Sequence, residues 1–117
     1  MSTRCHVVKK ENNKYRGIYI HFDGYINHGV GETLYKSYNT EQAVDMLLNM
    51  GGFSVLESTI AESDPYSNRG EDCPAVESNK LEDFLDDDYC YLWLDGKYKV
   101  YHWDEELGYL EDLVKEH

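Results

Sequence analysis

The side chains able to do chemistry in this chain are five histidines, three cysteines and a long series of carboxylates. Two runs share one pattern, His21-Phe22-Asp23 and His102-Trp103-Asp104. On a strand, residues two apart point to the same face, so each run can pair an imidazole with a carboxylate or supply half of a metal site. His6 falls on the strand that pairs with the first run in the reading below. His6, His21 and Asp23 are therefore the candidate metal or small-molecule set. The other signals are weaker. Gly24, Gly29 and Gly31 match neither a phosphate loop nor a dinucleotide fingerprint, and read as glycines for turn geometry. Cys5 and His6 are strand neighbours, face opposite ways, and make no nucleophile–base pair. Cys5, Cys73 and Cys90 form no C-x-x-C pair, which argues against a four-ligand structural zinc and for free thiols in a reducing compartment. Cys90, inside an apolar run, reads as a small core residue. The expectation is a protein that is not an enzyme and needs no cofactor.

The carboxylates are the stronger signal. Glu71, Asp72, Glu82, Asp83, Asp86, Asp87, Asp88, Asp95, Asp104, Glu105 and Glu106 crowd into the second half of the chain. The net charge is −12, yet residues 1–40 hold six bases against three acids, while residues 57–95 hold twelve acids against Arg69 and Lys80. Such a protein repels nucleic acid and is drawn to basic surfaces, so direct nucleic-acid binding is not expected. Asp86-Asp87-Asp88 lacks the D-x-D-x-D-G spacing of a calcium loop. Two readings remain: a solvated surface that serves solubility, or carboxylates spaced like the phosphates of DNA, about one charge per 1.7 Å of duplex axis. These eleven acids, with Tyr89, make up the candidate partner-binding surface, and Tyr66 and Tyr101 are further packing anchors.

The elements that must position these groups follow from periodicity. Residues 1–117 fit one domain. Residues 3–22 alternate as a β-hairpin turning at Asn12-Asn13, which pairs Val7 with Ile18 and Cys5 with Ile20. Its other face carries Arg4, His6, Val8, Tyr19 and His21. Leu34 and Tyr38 mark a short helix. Asn39, with Gln42 three residues on, predicts the cap of a second helix running through Ala43, Val44, Leu47 and Leu48 to Gly51-Gly52. Residues 53–78 read as a long functional or mobile loop. A capping pattern at residues 79–82 starts a helix with Leu81, Phe84 and Leu85 on one face. Residues 89–103 predict a second hairpin around Asp95-Gly96, pairing Trp93 with Tyr98, Tyr91 with Val100 and Tyr89 with His102. Leu107, Leu110, Leu113 and Val114 predict a terminal helix weakened by Gly108. The expected fold is α+β: two hairpins in one antiparallel sheet with two to four short helices packed on it. No apolar run reaches the ~20 residues of a membrane span, and Met1–His6 lacks the apolar core of a signal peptide, so the expected location is the cytoplasm.

The pattern Ile18-Tyr19, His21, Asp23-Gly24-Tyr25, Gly29-Val30-Gly31, Leu34 and Tyr38 resembles a group of small, largely uncharacterised proteins of phages, plasmids and integrated elements. The likeness extends to Arg69-Gly70-Glu71-Asp72 and to the strand pair around the Asp-Gly turn. Phe22 stands where that group commonly has Trp. The resemblance transfers no catalytic residue. In kind, a small acidic protein of this type is similar to phage anti-CRISPR proteins. That implies a bacterial cytoplasm and a partner such as the DNA-binding groove of a Cas effector. The alternative is an accessory protein of the mobile element with a metal or small-molecule site at His6, His21 and Asp23.

Overall fold

A computed structural model describes residues 3–114. β1 (Cys5–Glu11) and β2 (Lys14–Ile20) form the expected hairpin in the expected register. Asn12 takes the positive φ of its turn, which a short polar side chain tolerates. Two helices follow, α1 (Val30–Ser37) and α2 (Glu41–Met50). The cap of α2 is Thr40, not Asn39: its hydroxyl oxygen accepts the Ala43 N–H at 3.2 Å. The helix therefore starts one residue later than the capping pattern predicts, and Gln42 sits too early to complete a box. Gly51 ends it at φ +87°, and a Cβ there would lie 2.4 Å from the Cys73 carbonyl oxygen. No other residue fits this corner.

The segment expected to be a loop contains three short strands, β3 (Phe53–Val55), β4 (Asp64–Pro65) and β5 (Val76–Ser78), and a 3-10 turn at Tyr66–Arg69. The helix expected near Leu81 is a single 3-10 turn, Leu81–Phe84. β6 (Tyr89–Leu94) and β7 (Lys97–His102) pair in the expected register. Beyond them the terminal helix shrinks to one turn, α3 (Leu110–Leu113), because Glu105–Tyr109 forms β8 against β7. The register slips between Val100 and Tyr101, leaving Leu107 as the extra residue of a bulge beside Gly108, whose φ is +121°.

The fold is α+β, but the sheet is larger than two hairpins and is mixed. Its order is β4-β3-β2-β1-β6-β7-β8, with β5 also on β2, eight strands in all. β1 joins the second hairpin by running parallel to β6, from Cys5 beside Tyr89 to Lys9 beside Trp93. A parallel central pair must be covered on both faces. Adjacent Val7 and Val8, which point oppositely, are accordingly both fully buried. The helices cover the face with Val7, Ile18, Ile20, Tyr91 and Val100. The 3-10 turn 81–84 covers the other, where Phe84 packs on Val8, Cys90 and Leu92. Gly17 makes this possible, since a Cβ there would meet the Phe84 ring at 2.8 Å. Burying one such ring contributes about 1.5–3 kcal/mol.

Two buried tyrosines of the sheet tie down the chain on either side of α1. The Tyr91 hydroxyl donates to the Gly24 carbonyl and the Tyr98 hydroxyl to the Tyr38 carbonyl, both at 2.7 Å. Lys9 is the one buried cation among the described residues. Its ammonium reaches Asp45 at 2.7 Å and Glu11 at 2.9 Å, clamping α2 to β1. Burial alone would lower the Lys9 pKa, but hydrogen bonds to Asp45 and Glu11 outweigh it and the net shift is upward.

Candidate functional site

Strand direction gathers part of the acidic set at one end of the sheet. β1 and β6 start together, β7 finishes beside the start of β6, and β8 leaves from the same end. Asp86-Asp87-Asp88, which leads into β6, therefore lies beside Trp103-Asp104, the two-residue turn between β7 and β8. His102 joins them, donating from Nδ1 to the Asp88 carbonyl oxygen at 2.7 Å. The Asp88 carboxylate accepts the Arg4 backbone N–H at 3.2 Å. Asp86, Asp104 and Glu105 are exposed, and among the described residues no cation pairs with any of them.

The other expected partner-binding acids do not join this group. Asp95 sits in the turn at the opposite end of the β6–β7 hairpin. Glu106 faces Lys99 at 3.6 Å on β8. Glu82 and Asp83 lie on the 3-10 turn over the second face, where Asp83 accepts the Ser78 hydroxyl. Glu71 and Asp72 follow the other 3-10 turn, with the Glu71 N–H on the Tyr66 carbonyl. The eleven carboxylates are thus no single row of charge. Tyr89 is half-buried, stacked on Tyr91 and in tilted contact with His102, and Tyr66 and Tyr101 are half-buried as well.

Sequence reasoning missed the aromatic part of this end. Trp103 is 48% exposed and holds φ at +57°. A bulky residue in the left-handed region is strained by about 1–2 kcal/mol, and a turn position with positive φ is where Gly or Asn belongs. Phe22, just past the end of β2, is exposed as well. The H-aromatic-D repetition was the visible signal for both: each run presents its aromatic and its carboxylate to solvent, while His21 and His102 are half-buried.

His6, His21 and Asp23 do not converge. The Tyr19 hydroxyl lies 2.6 Å from Nδ1 of His21. Asp23 lines a separate cleft of about 300 Å³ with His28, Glu32 and Glu57, and its carbonyl receives the Val30 N–H at the start of α1. His6 instead turns towards the segment leading into β6. Its Nδ1 is 3.1 Å from Asp87 Oδ2, and donor atoms of His6, Asp86 and Asp87 all lie within 4.8 Å of one another. The His6–Asp87 approach has ion-pair distance without hydrogen-bond geometry, so the buried Nδ1 has no hydrogen-bond partner among the described residues. Tyr19 and Phe84 meet the imidazole edge-on, each at 5.7 Å between ring centres, and fix its plane. Burial lowers the His6 pKa against the pull of Asp87 and Asp86, and burial raises that of Asp87 against the pull of His6.

Set against protein-family models, curated proteins and solved structures, the chain finds no match. No helix among the described residues is long and apolar enough to cross a membrane.

Proposed function

We propose that this protein is a binding module whose acidic end occupies a basic, nucleic-acid-holding surface of a host defence complex, with a CRISPR effector as the partner expected. The observation that carries the reading is Trp103. An exposed indole kept in a strained turn, flanked by the unpaired Asp104, Glu105 and Asp86, is costly for stability alone and useful for recognition. Trp and Arg lead among residues that dominate protein interfaces, and an indole among carboxylates offers both a packing anchor and a complement to Arg and Lys. The cations that hold DNA phosphates would meet Asp86, Asp88, Asp104 and Glu105, and the indole would stack on a guanidinium. Because Asp86, Asp104 and Glu105 are solvent-exposed, their main contribution is to encounter rate and specificity, and the aromatic contact slows dissociation.

The test is displacement. Guide-loaded CRISPR effector complexes of several types are mixed with labelled target DNA and increasing amounts of this protein. Loss of DNA binding that further DNA reverses supports competition for one groove. Failure to affect DNA binding or cleavage by any of them rejects the defence-complex assignment.

A further inference from the structure

We propose that His6, Asp86 and Asp87 form a binding site for a divalent first-row transition ion, with Zn²⁺ or Mn²⁺ as the fitting members. The proposal stands whether or not the acidic end binds a partner. The three residues come from two places in the chain. His6 is on β1, and Asp86-Asp87 ends the segment that crosses from the 3-10 turn 81–84 into β6. Parallel pairing of β1 with β6 brings them together, placing His6 beside Cys90, four residues after Asp86. Their donor atoms already sit within 4.8 Å of one another. Around a metal with bonds of about 2.0–2.2 Å, tetrahedral donors stand roughly 3.5 Å apart, so rotations of the Asp86 and Asp87 side chains suffice to close the set.

Two further observations separate this group from an ordinary cluster of surface acids. Nδ1 of His6 is buried and lacks a hydrogen-bond partner among the described residues, although it faces Asp87 at 3.1 Å. A buried ring nitrogen left unmet costs free energy, and a metal on its lone pair removes that cost. Second, the ring packs edge-to-face against both Tyr19 and Phe84, which restricts its rotation towards water. The site is thus preorganised on its nitrogen side and adjustable on its carboxylate side. One imidazole with two carboxylates suits Zn²⁺ and Mn²⁺; Mg²⁺ and Ca²⁺ favour all-oxygen sets. Three protein donors leave coordination positions for water at the surface where Asp86 is exposed.

The experiment uses the whole protein stripped with chelator and then dialysed. Calorimetric titration with ZnCl₂, MnCl₂ and MgCl₂ is expected to give one saturating site for Zn²⁺ and Mn²⁺ and none for Mg²⁺. Mn²⁺ then serves as a paramagnetic probe: amide signals of residues 5–7 and 85–88 should broaden first. Asp86→Asn, at an exposed position that leaves the core intact, should weaken the ion at least tenfold, and His6→Gln should do so more strongly. Asp95→Asn, at the far end of the β6–β7 hairpin, should leave affinity unchanged. Absence of saturable binding, broadening centred elsewhere, or an unchanged affinity in Asp86→Asn overturns the proposal. If His6→Gln does not fold, the Asp86→Asn titration and the broadening map still decide it.

Discussion

His102 donates its Nδ1 hydrogen to the Asp88 carbonyl oxygen across 2.7 Å, fastening the acidic segment before β6 to the end of β7. A carbonyl can only accept, so Nδ1 must carry the proton. Strand pairing brings Asp86-Asp87-Asp88 beside the Trp103-Asp104 turn, and this bond holds the segment there. His102→Ala should cost about 1 kcal/mol in denaturant unfolding, the worth of one partly buried hydrogen bond. Amide exchange at residues 86–88 should quicken, while that of the β1–β2 hairpin stays as it was.

Trp103 yields the most distinctive stability prediction. Asn is at home at φ +57°, so Trp103→Asn relieves backbone strain at the tip of the β7–β8 turn. The half-exposed indole loses little packing in exchange. The variant should be as stable as the parent or more so, by up to about 1 kcal/mol, and should inhibit less. A variant that is markedly destabilised would mean that the indole serves the fold, not a partner.

Lys9 and its acids should respond unequally to truncation. Lys9→Met replaces a buried ammonium by an apolar chain of similar length, and the carboxylates it leaves are exposed enough to rehydrate, so stability should change by less than about 1 kcal/mol. Asp45→Ala strands the ammonium with a weaker set of partners and should cost about 1–3 kcal/mol. The sign of the pH effect follows from the raised Lys9 pKa. Its stabilisation is complete below the ordinary value of 10.5 and disappears as pH rises through the folded value. Buried Tyr91 and Tyr98 act in the same direction, because burial holds their phenols neutral above the ordinary value of 10.0. Unfolding curves should therefore lose stability with rising pH above about 10, and Lys9→Met should lose less of it than the parent.

The thiols should separate by burial. Cys5 and Cys90 are buried, and burial pushes the Cys90 thiol up to about 12 and that of Cys5 well above its usual range. Cys73 is partly exposed. A thiol reagent at pH 8 should label Cys73 in the folded protein, and the other two only after denaturation. Rapid labelling of Cys90 in the native state would contradict the covering role of Phe84.

Both hairpins could be read residue by residue, because Val7 against Ile18 and Trp93 against Tyr98 are local pairings set by a two-residue turn. The parallel β1–β6 pairing could not. Its strands are some eighty residues apart, and the apolar pair Val7-Val8 was the one trace of it, a strand covered on both faces. Leu107 shows another limit: leucines at helical spacing sat partly on a strand, because a bulge at Gly108 absorbed the mismatch. The acidic end was half legible. Charge density picked out Asp86-Asp87-Asp88 and Asp104-Glu105, but whether they met depended on strand direction, which also sent Asp95 to the far end. His6 was singled out together with His21 and Asp23, and only the third dimension shows that residues 86 and 87 lie beside it.

The central claim is tested most directly by charge reversal in the DNA-displacement assay. Asp86→Lys, Asp104→Lys and Glu105→Lys are combined in one protein, all at exposed positions, and inhibition is measured across a range of salt concentrations. The account predicts that inhibition by the parent weakens steeply with added salt and that the triple variant loses at least tenfold in potency while keeping its folded spectrum. Inhibition that is indifferent to salt and retained by the triple variant would contradict it.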